Sequence, residues 1–214
     1  DQPRSRGLGD VYKRQGLLSR KIQMITYIGL DGEMSSADIS TGGKLIQIGM
    51  AKVVDGKMTS IASMLNPGGM EWSEEAEAVH EFTQEYIEKF GLDPSLVDQD
   101  LADWTKTGSE RRDTIAVGFN VGSFDMPFVK QSLPILFSKF SRRTVDLNAL
   151  IFSLSDTDKE FQKIKANAKR YAEQQMDNMF DGFKNRQHDA EYDSVMALYC
   201  FEYLRLLMGK AKNG

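Results

Sequence analysis

Hydrophobic positions fall first into short, nearly continuous runs and later into helical spacing. From Met24 to Glu33 the chain is apolar at successive positions, which predicts a strand covered on both faces. Leu45 to Val54, rich in Ile, Val and Met, predicts a second strand. Asp55-Gly56 is a strong hairpin signal, so Lys57 to Leu65 should return antiparallel to it and end at Asn66-Pro67-Gly68-Gly69. The pattern then turns helical. Ser73 is placed to cap a short helix through Val79, Thr83 to Phe90 predicts another, and Pro94-Ser95 opens a third that runs towards Lys106. "TIAVGF", Thr114 to Phe119, predicts a fourth strand. Asp125 and Pro127 mark a helix start running to about Leu133, and Thr144 to Leu147 predicts a short fifth strand. Lys159 to about Met179 reads as a long, charged helix, Asp181 to Gln187 as a loop, and Ala190 to Met208 as the last helix.

Strands in a meander followed by strands alternating with helices predict an α/β domain with a mixed sheet covered on both faces. The first strand is expected at its centre. At 214 residues, 41% hydrophobic and 27% charged, the chain suits one sizeable core, and one domain is expected over residues 24–210, with a short tail at 211–214. No apolar run approaches the ~20 residues of a membrane span, so no membrane partner is expected. With Cys200 the one cysteine, and His80 and His188 the two histidines, a disulfide framework or structural zinc site is not expected. A cytoplasmic, reducing setting fits this composition. "SRGLGDVYKRQ", Ser5 to Gln15, resembles the in-frame translation of a sequencing-library adapter; residues 1–15 are set aside as non-native, and 16–23 as an extension of open origin. Residues 1–15 carry four basic side chains (Arg4, Arg6, Lys13, Arg14) and two acidic ones (Asp1, Asp10), so the remainder has net charge −6 against −4 for the whole. A role with nucleic acid must then rest on a local site rather than on a global basic field.

Three separated segments carry acids where the pattern calls for core. Asp31 and Glu33 alternate on one face of the first strand; a strand end reaching solvent would do the same. Asp193 interrupts the apolar stripe Ala190, Ala197, Phe201, Leu204 and Met208 of the last helix, with His188 just before it. Asp125 follows "GFNVGSF" at a helix start, where an ordinary N-cap is the competing reading. Open α/β sheets place ligands at such strand and helix ends. Acids gathered at one point raise one another's pKa, and hard divalent cations with oxygen ligands relieve the repulsion. A pair of such ions suits phosphodiester cleavage, and a nearby histidine supplies a base.

"DGE", "NVGSFD" and "HDAEYD" together resemble the three motifs of the DEDDh 3′–5′ exonucleases, over roughly Met24 to Met208. The resemblance implies a ribonuclease H-like fold: a five-stranded mixed sheet, second strand antiparallel, helices on both faces. It implies that Asp31, Glu33, Asp125 and Asp193 hold two Mg²⁺ or Mn²⁺ ions, with Asp31 bridging both. It implies that His188 accepts a proton from the attacking water and that a nucleoside 5′-monophosphate is released. "EEAEAVHEFT" resembles an epsilon-type segment in which Glu75 and His80 contact the terminal nucleotide, and Asn120 belongs to the second motif. Met34 stands where many members have threonine; it either packs against the terminal base or fills core. Phe119 stands where many have histidine. Lys163, Lys165, Lys169 and Arg170, with Lys184 and Arg186, either line a path for a single strand or form a solvated face.

The expectation is thus an exonuclease acting on single-stranded or frayed 3′ ends, DNA in a replication, proofreading or repair role, with a polymerase or a second copy as further partner. Trimming of RNA or short oligoribonucleotides is the enzymatic alternative. An inactive nucleic-acid-binding or polymerase-accessory module is the alternative of another class.

Overall fold

The computed structural model describes residues 25–105, 114–177 and 188–211. The adapter-like stretch, the extension, the expected loop Asp181 to Gln187, Lys184 and Arg186 lie outside them. Five strands form one sheet: β1 (Thr26–Met34), β2 (Leu45–Val54), β3 (Lys57–Met64), β4 (Thr114–Gly118) and β5 (Thr144–Asp146). Their order is β3-β2-β1-β4-β5, so the acid-bearing strand is central. β2 runs antiparallel to both β1 and β3, whereas β4 and β5 run parallel to their neighbours. Asp55 and Gly56 turn the β2–β3 hairpin with positive φ at both positions, as this dipeptide favours.

The helices start where local chemistry satisfies their free N–H groups. In α1 (Glu74–His80), α2 (Gln84–Phe90) and α3 (Pro94–Trp104), the side chains of Ser73, Thr83 and Asp93 accept from the first-turn amides. Then come α4 (Asp125–Ser132), α5 (Pro134–Phe137), α6 (Leu147–Phe152), α7 (Asp158–Met176) and α8 (Ala190–Ala211). Two of these, α5 and α6, go beyond the hydrophobic pattern. α6 begins because Asp146 accepts from the amides of Asn148 and Ala149, which also ends β5 a residue short of Leu147.

Two apolar clusters flank the sheet. Ile28, Leu30, Ile48 and Met50 pack on one face with Leu101, Phe128 and Leu136 from α3 to α5. Ala51 and Val117 pack on the other with Ile151, Ala168, Val195 and Leu204 from α6 to α8. The side-chain alternation of β1 therefore sends Ile28 and Leu30 one way and Gly29, Asp31 and Glu33 the other, towards α8. No helix among the described residues is long and apolar enough to cross a membrane.

Candidate active site

The last helix lies against the backbone of the sheet because two glycines leave it room. A Cβ on Gly29 would fall 2.1 Å from the Ser194 carbonyl oxygen, and one on Gly49 would fall 1.9 Å from that of Ala190. Gly49 is also the register partner of Asp31. The N-terminus of α8 is then fixed by side chains of the sheet. The Ala190 N–H donates to Gln47 Oε1 at 3.0 Å, and Ser60 Oγ donates to Glu191 Oε1 at 2.8 Å. This seating carries Asp193 to the end of β1 that bears Asp31 and Glu33. His188 adopts the left-handed conformation (φ 68°), and its N–H donates to Asp193 Oδ2 at 3.1 Å. One ligand atom each from Glu33, His188 and Asp193 lies within 4.8 Å of the others.

Asp125 reaches the same place from the opposite side. β4 pairs with β1 only as far as Gly29↔Val117. The edge of β1 beyond it is open, and the Gly32 N–H donates to Asp125 Oδ1 at 3.0 Å. Asp125 is the first residue of α4 rather than its cap; that position belongs to Phe124.

These carboxylates repel one another in a poorly solvated pocket. Burial, then Asp125, Asp193, Glu33 and Asp189, hold the Asp31 carboxyl well above its ordinary range. Burial, with Asp193, Asp125 and Asp189, pushes Glu33 up to about 8. Burial raises Asp125 to about 7 against the opposing hydrogen bond from Gly32, with Asp146 adding to the rise. Burial also raises Asp193, while the His188 N–H and the nearby charges of His188 and Lys169 pull it down. A partly buried donor set of carboxylates with one imidazole fits a divalent cation, which would satisfy the oxygens and cancel the repulsion. Glu33, His188 and Asp193 are spaced to hold one.

The remaining predicted residues divide. His80 ends α1 and is buried. Its Nδ1 accepts from the Phe82 N–H at 3.1 Å, while Nε2 is buried with no hydrogen-bond partner among the described residues. Burial lowers its pKa, the Met34 backbone opposes this, and His188 is close enough to add to the lowering. Glu75 is exposed, and its Oε2 accepts from Ser73 Oγ at 2.7 Å. Met34 is 4% exposed and packs in the core on the α3–α5 face, so it presents almost no surface to a base. Asn120 is exposed with φ 58°, and its Oδ1 accepts from Asn148 Nδ2 at 3.0 Å. Gln47, Asp189 and Asp146 escaped the motif reading. The signal for Gln47 was an amide amid the apolar run of β2; Asp189 sat in plain view inside "HDAEYD".

Solved structures resemble this chain at low identity. Exonuclease I of E. coli, in a zinc-bound complex with single-stranded DNA, aligns with a TM-score of 0.58 at 12% identity, covering 85% of this chain and 40% of its own. The cell-death related nuclease CRN-4 aligns with a TM-score of 0.55 at 16% identity, covering 87% and 65%. The fold is the ribonuclease H-like one that these nucleases share. A 3′-exonuclease that recognises the 3′ end of a histone mRNA stem-loop shares this exonuclease fold, with a TM-score of 0.52 at 10% identity, covering 87% and 83%. The chain thus spans well under half the length of Exonuclease I and about two thirds of CRN-4. No family model matches the chain, and no curated protein matches it in sequence.

Proposed function

We propose that the protein is a metal-dependent 3′–5′ exonuclease that releases nucleoside 5′-monophosphates from single-stranded or frayed ends. The observation that carries this reading is the meeting of Glu33, His188 and Asp193, whose ligand atoms lie within 4.8 Å of one another, at the end of β1 that bears Asp31 and whose Gly32 N–H holds Asp125. Exonuclease-fold neighbours that act on nucleic acid support it. The four carboxylates would hold two Mg²⁺ or Mn²⁺ ions. Bound there, the ions supply the positive charge that holds the scissile phosphate and activates water. The imidazole of His188 accepts the proton of the attacking water; its strained backbone and its tie to Asp193 fix the approach of the ring. Glu75 and Asn120, both exposed, would contact the terminal nucleotide, whereas His80 is buried and its Nδ1 is committed to the Phe82 N–H.

DNA is favoured by the epsilon-like segment holding Glu75 and His80, RNA by the likeness to the histone mRNA exonuclease. The test is one digestion series with Mg²⁺ or Mn²⁺ on matched 5′-labelled DNA and RNA strands, single, paired and mispaired. A ladder shortening one nucleotide at a time is expected, and Asp31→Ala should abolish it. Absence of any product at every metal concentration would overturn the reading in favour of a binding or polymerase-accessory module.

A further inference from the structure

An acidic pocket on a chain of net charge −4 repels the polyanion it is proposed to cut, so the strand needs local cations. Of the lysines on α7, two turn towards the site. Lys165 Nζ lies 5.2 Å from the centroid of the Phe119 ring and 5.8 Å from that of Phe161. Lys169 Nζ lies 5.7 Å from the same Phe119 ring. Phe119 follows β4 directly and precedes Asn120, the residue that opens the turn to Asp125. Lys169 is close enough to Asp193 to act on its carboxylate.

Two ammonium groups one helical turn apart on one face repel each other, and Lys165 is half-buried. Paired cations over an aromatic face, beside a pocket of opposite sign, are the elements of a single-strand seat: charge for phosphate and a ring for a base.

We propose that Lys165, Lys169 and Phe119 seat an internucleotide phosphate and its base next to the scissile bond, in a single strand whose 3′ end lies among the carboxylates. This rests on the exonuclease reading and adds to it the point where the strand is gripped. It also accounts for Phe119 where the family resemblance leads one to expect histidine, because the ring carries the lysines and offers a surface to a base. Grip on the backbone rather than on base edges makes the seat indifferent to sequence.

The test uses the intact chain with Ca²⁺ in place of Mg²⁺, a fluorescent single-stranded oligonucleotide, and anisotropy across a range of NaCl concentrations. Lys165→Gln/Lys169→Gln should bind several-fold more weakly, and its slope of log affinity on log salt should fall by about 0.7, the value for one phosphate contact on a single strand. Lys165→Arg/Lys169→Arg should keep the slope. Lys57→Gln/Lys130→Gln, which removes the same charge from exposed positions elsewhere, should match the wild type. An unchanged slope in the first variant, or an equal fall in the Lys57/Lys130 control, overturns the seat while leaving the nuclease reading intact, provided the wild type cleaves. A wild type that neither binds nor cleaves overturns both.

Discussion

The amide of Gly32 donates to Asp125 Oδ1 at 3.0 Å, joining the central strand to a helix 93 residues further along. The bond exists because β4 leaves β1 early and exposes an N–H in a place that water reaches poorly. A carboxyl of ordinary N-cap geometry would have bonded within its own helix. Asp125 instead serves the strand and faces the other acids.

Replacement of Asp125 separates its two roles. Asp125→Asn keeps an acceptor for the Gly32 amide, so it should fold at least as stably as the wild type in EDTA, yet lose cleavage. Asp125→Ala leaves the buried amide unpaired and should be less stable than the Asn variant by roughly 1–3 kcal/mol. Urea midpoints of the two variants, with a digestion assay, check both halves. Equal stability of Asn and Ala would show that the bond contributes nothing.

The raised carboxyls make the metal-free protein sensitive to alkali. Glu33 is pushed from 4.5 up to about 8 on folding, so the folded chain binds this proton more tightly than the unfolded one. The stability this gives is complete below the unfolded value and drains away as pH rises towards about 8, at about 1.4 kcal/mol per pKa unit. Melting in EDTA should therefore show Glu33→Gln gaining on the wild type as pH is raised over that window. Saturating Mn²⁺ should close the gap from the wild-type side. A gap that stays constant with pH would mean that Glu33 ionises as it does in the unfolded chain.

His188 can serve as proton acceptor or as metal ligand, since its ring lies with Glu33 and Asp193. The proposed role is the former. His188→Ala should slow the chemical step by ~10²–10⁴-fold, as for a general base, while Mn²⁺ affinity by calorimetry stays near that of the wild type. Loss of the ion along with activity would make the ring a ligand, and wild-type turnover would remove it from the mechanism.

Gly49 holds the site together from a distance. Its Cβ would sit 1.9 Å from the Ala190 carbonyl oxygen, which is backbone and cannot swing aside. Gly49→Ala should push the start of α8 off the sheet, costing about 1–3 kcal/mol as overpacking does, and should weaken Mn²⁺ binding although it touches no ligand. Unchanged stability and affinity in this variant would show that the helix can shift without carrying Asp193 away.

The strands, their hairpin and most helix starts were legible in the sequence because their causes are local: apolar periodicity, Asp55-Gly56, and the caps Ser73, Thr83 and Asp93. The acids themselves stood out for the same reason, as charges inside apolar runs. What only the tertiary structure decided was where those charges meet. A glycine inside a strand, such as Gly29, admits the close approach of another group, but that α8 is what lies on Gly29 and Gly49 was decided by the fold, and Gln47 reads as a stray amide until it bonds the Ala190 N–H. The sequence left Met34 between substrate and core; the packing of α3 to α5 on the face it shares with Ile28 and Leu30 covers it. Lys165 and Lys169 are indistinguishable from Lys163 by spacing alone, and only the packing of α7 beside the end of β4 sets them over Phe119. Local propensity acts through neighbours in the chain, whereas a carboxylate's pKa and a lysine's partner depend on groups brought near by folding.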